Sequence, residues 1–180
     1  MISGSRIITA SGRVFDLLEP TLEQIDIFDI ATALSKENRF GGHTRKPYSV
    51  AQHSCLAHDY AKHHMETNYE CRFEALMHDV EEAYYKDIPT PLKRLLPDYN
   101  LIVDNFDKLM REKFDLPGSE TPIVKQIDLR LLATEKRDLM PQALLPWGVL
   151  EGVEPYDQHI EPWGYEKSFR EFMNRFAEYR

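Results

Sequence analysis

Three stretches of this chain read as amphipathic helices, and each sets an ionisable side chain where an apolar one belongs. In the first, His53 aligns with Val50, Ala57 and Ala61 on the face that should point inward. The second runs from Tyr69 to about Asp79, carries Phe73, Leu76 and Met77, and ends on the pair His78-Asp79. In the third, Asp128 stacks with Val124 and Leu131 on the buried seam. A carboxylate left unpaired there would cost several kcal/mol, so a cation is expected beside it. His78 and Asp79 are consecutive and lie about 100° apart on a helix, so both can face one point only at the edge of the inward face or at a helix end. The polar Glu81-Glu82 and the Asp87-Ile-Pro89 turn that follow suit a helix end. Two imidazoles and two carboxylates make a mixed nitrogen/oxygen ligand set, unlike a thiolate structural zinc site. His53, His78, Asp79 and Asp128 are therefore the candidate ligands of one divalent ion: Co, Mn, Zn, Fe or Mg. Four protein ligands on an ion that prefers six leave positions for water and substrate.

The remaining pattern is also helical. Asp26 is placed to cap a helix from Ile27 to Lys36, and Ser49 with Gln52 forms a capping-box pattern for a helix reaching about His64. Asn68 caps the Tyr69 helix. Thr90-Pro91 and Thr121-Pro122 read as N-cap and first residue of a short helix and of one reaching about Met140, with Asp98–Phe114 helical between them. Gly164–Tyr179 closes the chain as an amphipathic helix with Phe169, Phe172 and Phe176. Arg6–Asp16 alternates around Ser11-Gly12 as a small hairpin, the stretch Asn38–Pro47 is a polar loop, and Pro141–Pro162 is a surface loop. The expected fold class is thus all-α, one domain over 1–180, with a helical core at about 27–140, a C-terminal loop and helix at 141–180, and a short N-terminal β-hairpin as the one departure.

Composition narrows the functional classes. A formal charge of −8 argues against non-specific binding to nucleic acid, since a polyanion needs a basic face. No apolar run approaches the roughly 20 residues that span a bilayer, and Met1–Arg6 lacks the pattern of a secretory signal. Cys55 and Cys71 read as small buried thiols of a reducing compartment. A cytoplasmic protein without membrane or nucleic-acid partners is expected. Positive charge gathers at Arg39, Arg45, Lys46, Lys93, Arg94 and Lys125, where it would either hold a small anion near the metal or stand as solvated surface charge.

The residues from Ala75 to Lys93, with His78-Asp79-Val-Glu-Glu82, then Asp87, then Pro89-Thr-Pro-Leu-Lys93, resemble the core of the HD-domain metal-dependent phosphohydrolases. Tyr48–Ser54 is similar to the first-histidine helix of that family, and Val124–Glu135 to its last-aspartate helix. Within the family the likeness is to the small bacterial 5'-deoxynucleotidases and the phage dATP triphosphohydrolases. It implies a compact HD helical bundle and a hydrolase acting on a small-molecule nucleotide, with a homo-oligomer expected. It also implies catalytic roles for Glu82 and Asp87, although Asp87 reads equally as a turn cap, and phosphate contacts from Arg39, Lys93 and Lys125, with Arg45 competing for the place of Arg39. Glu81 matches nothing in the pattern and reads as solvated. No histidine lies between Asp79 and Asp128, so a single ion is expected.

The function implied is divalent-metal-dependent hydrolysis of deoxynucleotides. Two lysines beyond the metal lean towards a dNTP triphosphohydrolase; the alternatives are a 5'-deoxynucleotidase on dNMPs and a non-catalytic nucleotide-sensing module.

Overall fold

The computed structural model describes residues 4–64, 67–142 and 146–179. The expectations that touch Met1–Ser3 and 143–145 lie outside them. The chain is mostly helical, with one two-stranded antiparallel sheet: β1 (Arg6–Ile8) pairs with β2 (Val14–Asp16) in the register Ile7 to Phe15. The helices are α1 (Ile27–Lys36), α2 (Val50–His64), α3 (Tyr69–Met77), α4 (Glu82–Tyr85), α5 (Thr90–Lys93), α6 (Pro97–Phe114), α7 (Pro122–Leu139) and α8 (Tyr165–Ala177).

Local chemistry explains most boundaries. The Asp26 carboxylate accepts from the Phe28 N–H at 2.9 Å and starts α1; Asn68 accepts from the Cys71 N–H at 2.8 Å and starts α3. The hairpin is fastened at both ends. Asp29 accepts from the backbone and hydroxyl of Ser11 at 2.6 and 2.8 Å, and Phe15 is fully buried, stacked on Tyr84 with ring centroids 4.0 Å apart.

The core has two parts, and α2 serves both. Val50, Ala51 and Cys55 join Phe15, Leu34, Leu76, Phe106 and Phe172 in one apolar cluster. Ala57, Tyr60 and Ala61 join Val124, Ile127, Leu131 and Tyr156 in the other. Around α2 pack α1, α3, α7 and α8. Burying side chains of the size of Phe172 or Leu131 is worth about 1.5–3 kcal/mol each.

Several sequence expectations are corrected. Ser49 does accept from the Gln52 N–H at 3.2 Å, but the Gln52 side chain does not complete a capping box. Its amide donates to the Glu161 carbonyl at 2.9 Å and accepts from the Trp163 N–H at 2.7 Å. The approach of the segment before α8 offers that buried amide two backbone partners at once. Thr121 does not cap α7 with its side chain; its N–H and hydroxyl both go to Glu74, at 2.8 and 2.6 Å. Pro89, not Thr90, precedes α5. Cys71 is only half-buried, whereas Cys55 is buried, and both are free thiols. The described part of the Pro141–Pro162 segment is not purely surface: Tyr156 is buried and stacks on Tyr60, centroids 3.6 Å apart. No helix among the described residues is long and apolar enough to cross a membrane.

Glu74 shows how the third ligand helix is anchored. It is buried, holds both Thr121 groups, and lies 3.8 Å from the Arg111 guanidinium. Glu74→Ala would leave both Thr121 groups without their partner, while Arg111 keeps Asp107 and the Pro117 carbonyl, and we expect a loss of about 3 kcal/mol in denaturant unfolding. A loss below about 1 kcal/mol would show that α7 keeps its place without this carboxylate.

Candidate metal centre

His53 sits in the first turn of α2, fully buried, its N–H bonded to the Ser49 carbonyl at 3.1 Å. Its Nδ1 is 2.6 Å from Glu135 Oε1. His78 caps the C-terminus of α3, and its Nδ1 is 2.9 Å from the Ala75 carbonyl. Both partners are acceptors, so each Nδ1 carries the proton, and in a neutral ring each Nε2 is left as a bare lone pair. Those two Nε2 atoms face each other at 3.1 Å. Asp79 Oδ2 stands 3.3 Å from the first and 3.2 Å from the second; Asp128 Oδ1 stands 3.3 and 3.9 Å from them.

Four electron-rich atoms have thus been turned towards one point. Without positive charge between them they repel. Donor atoms held about 2.1 Å from one ion at right angles are about 3 Å apart, close to the 3.1–3.3 Å separations of the two Nε2 atoms from each other and from Asp79. The residues present fit a metal: His53, His78 and Asp128 form a group that could hold an ion, with Asp79 against both imidazoles. The field tells the same story. Burial and Arg39 push the His53 imidazole down, yet Glu135, Asp128 and Asp79 outweigh them and hold it up to about 10. Burial opposes ionisation of Asp79 and Asp128 too, and the two imidazoles overcome it, keeping both carboxyls well below the usual range.

Glu135 was not singled out from the sequence. It is fully buried on α7, two turns beyond Asp128 and on the same face, and it receives His53 with one oxygen and Arg39 with the other. A carboxylate behind a ligating histidine fixes the ring and its tautomer. The seven-residue spacing to Asp128 was the available signal.

Arg39 is buried, with Nε and Nη2 at 3.3 and 3.2 Å from Glu135 and Nη1 at 3.2 Å from Asp79. Of the two candidate arginines it is the one that reaches the cluster; Arg45 is exposed. Its guanidinium is committed to carboxylates.

Glu82, at the start of α4, is buried, with Oε1 3.5 Å from the Lys93 ammonium and Oε2 without a hydrogen-bond partner. Burial first, then Asp79, Asp87 and Glu81, push its carboxyl well above the usual range, which favours its protonated form. Glu81 is not solvated as expected. One of its oxygens is buried without a partner, and burial together with Asp79 pushes the group up to about 8. The irregular turn after α3 brings both glutamates inward, and Asp79, Glu81 and Glu82 form a second acidic group beside the first. Asp87 accepts from the Phe40 N–H at 3.2 Å; burial raises its carboxyl, with Asp79 adding to the effect. Lys125 is exposed and turned to Glu120 at 3.2 Å, not to the cluster.

The likeness to known proteins extends over nearly the whole chain. It is 43% identical over 173 residues to the uncharacterized protein YfdR of Escherichia coli (strain K12), covering 96% of this chain and 94% of that one. The chain belongs to the YfdR family. It is also 36% identical over 112 residues to an uncharacterized protein of Rhodobacter capsulatus, 60% of this chain and 57% of the other. No protein-family model matches. The ligand cluster, Glu82 and Arg39 all lie inside the span shared with YfdR in extent, but neither relative's name carries an activity.

Proposed function

We propose that this chain is an HD-type, divalent-metal-dependent phosphohydrolase acting on deoxynucleotides, with a dNTP triphosphohydrolase as the leading form. What supports the reading is one juxtaposition: the converging His53, His78, Asp79 and Asp128 donors beside a buried Glu82, its carboxyl pushed well above the usual range, that is itself beside Lys93. The nucleotide part rests on the resemblance of the His78–Lys93 segment to the HD phosphohydrolases.

The chemistry that a divalent ion held by His53, His78, Asp79 and Asp128 would supply is neutralisation of a phosphoryl oxygen and acidification of water, to a pKa of about 7 in favourable sites. The protein's own groups do the rest. Glu135 accepts the Nδ1 proton of His53 and so presents Nε2 to the centre; the Ala75 carbonyl does the same for His78. Arg39 holds Asp79 and Glu135 in register. The Glu82 carboxyl would give its proton to the departing oxygen as the P–O bond breaks, and recover one from the attacking water. Lys93 would offset charge on the phosphoryl oxygens.

A second reading, 5'-deoxynucleotidase, is favoured by one observation. The lean towards a triphosphate used two lysines, and only Lys93 lies beside the cluster. A non-catalytic module would be expected to lack a ligand or Glu82, and this chain has them all.

The test is turnover of pooled dNMPs and dNTPs with Mn²⁺ or Co²⁺, reading orthophosphate and triphosphate separately. Triphosphate release from dNTPs is expected. Orthophosphate from dNMPs alone would establish the second reading, and no turnover of either pool by metal-loaded protein would sink both. In the same assay Lys93→Ala should slow dNTP turnover about 10-fold or more, since a charge-assisted bond is worth ~1.5–3 kcal/mol. Lys125→Ala should stay within about twofold of wild type, as expected for an exposed pair. Equal losses in the two variants would place Lys125 on the substrate after all.

A further inference from the structure

Among the described residues, Phe40, Lys86 and Asp115 are the non-glycine positions with a left-handed φ, at 58°, 74° and 55°. Asp115 is the ordinary left-handed cap of α6. The other two belong to the loops that meet at Asp87, where the Phe40 N–H donates to its Oδ2 at 3.2 Å. Lys86 is the more strained. Its φ of 74° and ψ of 151° fall in a region that is essentially reserved for glycine.

Such a conformation persists only when the surroundings over-determine it, and here they do. The Lys86 N–H bonds to the Glu82 carbonyl at 3.0 Å, closing α4. The Tyr99 hydroxyl, on α6, reaches the carbonyls of Tyr85 and Lys86 at 3.1 and 3.3 Å. The Lys86 ammonium donates to Glu37 Oε2 at 2.9 Å. Glu37 in turn closes α1, through its N–H on the Ala33 carbonyl, and its own carbonyl accepts from the N–H of Val50, the first residue of α2. Glycine would occupy position 86 without strain, but it has no ammonium to reach Glu37. That ion pair is exposed on the lysine side and adds little stability. Its result is placement: one residue ties the segment carrying Glu82 and Asp87 to the start of the helix carrying His53.

We infer that Lys86 is a positioning residue for Asp87, its strained backbone clamped by Tyr99 and Glu37 so that Asp87 is held against the Arg39–Phe40 loop at the edge of the metal centre. The catalytic side of this inference rests on the function proposed above; the structural side does not.

The test uses Lys86→Gly and Lys86→Arg in the full chain, read by amide exchange at Phe40, by kcat and KM in metal-loaded protein, and by Tm. For Lys86→Gly we expect a Tm equal to or above wild type, because the strain is gone. The Phe40 amide should exchange about 10-fold faster, and kcat should fall about 10-fold with KM within about twofold. Lys86→Arg keeps the Cβ and the cation and should hold both the exchange rate and kcat within about twofold of wild type. Unchanged Phe40 exchange in Lys86→Gly would overturn the inference, as would a loss in kcat that Lys86→Arg shares in full. If the wild type turned over no nucleotide, the proposed function would fall while Phe40 exchange still decided the role of Lys86.

Discussion

Replacing Asp79 or His78 by alanine is expected to give a folded protein that retains no divalent ion and hydrolyses no nucleotide. Asp79 Oδ2 stands 3.3 and 3.2 Å from the two imidazole Nε2 atoms, and the His78 Nε2 stands 3.1 Å from that of His53, so removing either side chain opens the ring of donors. Neither belongs to the apolar clusters that carry the fold. In Asp79→Ala the Arg39 guanidinium still has Glu135, which limits the penalty of an unpaired buried charge. Metal content after desalting, circular dichroism and turnover would be measured on one preparation. A variant with wild-type metal retention and full activity would remove the pair from the centre.

The second large effect is expected from Glu82→Gln. The amide keeps the shape of the carboxyl and loses its ability to give or take a proton, and such losses typically slow hydrolysis by ~10²–10⁴-fold. Metal content should be unchanged, since Glu82 is not one of the four converging donors. Stability should not suffer, because the folded protein already disfavours the charged form of this group. A kcat equal to wild type would reduce Glu82 to a buried acid with no part in proton transfer.

The sequence made the converging His/Asp cluster legible because polar residues interrupted apolar seams at His53 and Asp128, and because periodicity ended where His78 and Asp79 began. Helix limits were readable wherever one side chain does one job, as at Asp26 and Asn68. They were misread where a side chain had a choice: Gln52 and Thr121 took tertiary partners, Glu161 with Trp163 and Glu74, that no local pattern reveals. Glu81 turned inward because the turn after α3 is not a continued helix; the expectation of a solvated side chain rests only on its matching nothing in the family pattern. Lys125 shares the helix of Asp128, yet three residues of separation did not stop its long stem from swinging to Glu120. Lys86 could not be read at all, since its importance lies in a backbone torsion and not in a residue type.

The C-terminal helix bears on how the protein is made. Helix α8 packs on α1, α2 and α3, buries Phe172 and Phe176, and follows the segment that satisfies Gln52, the residue next to His53. During synthesis the chain emerges from its N-terminus, so all four donors are exposed to the cell's ions before the helix that backs the first of them exists. The nascent chain would therefore carry the candidate donors on an incomplete wall until α8 and the segment before it have been made.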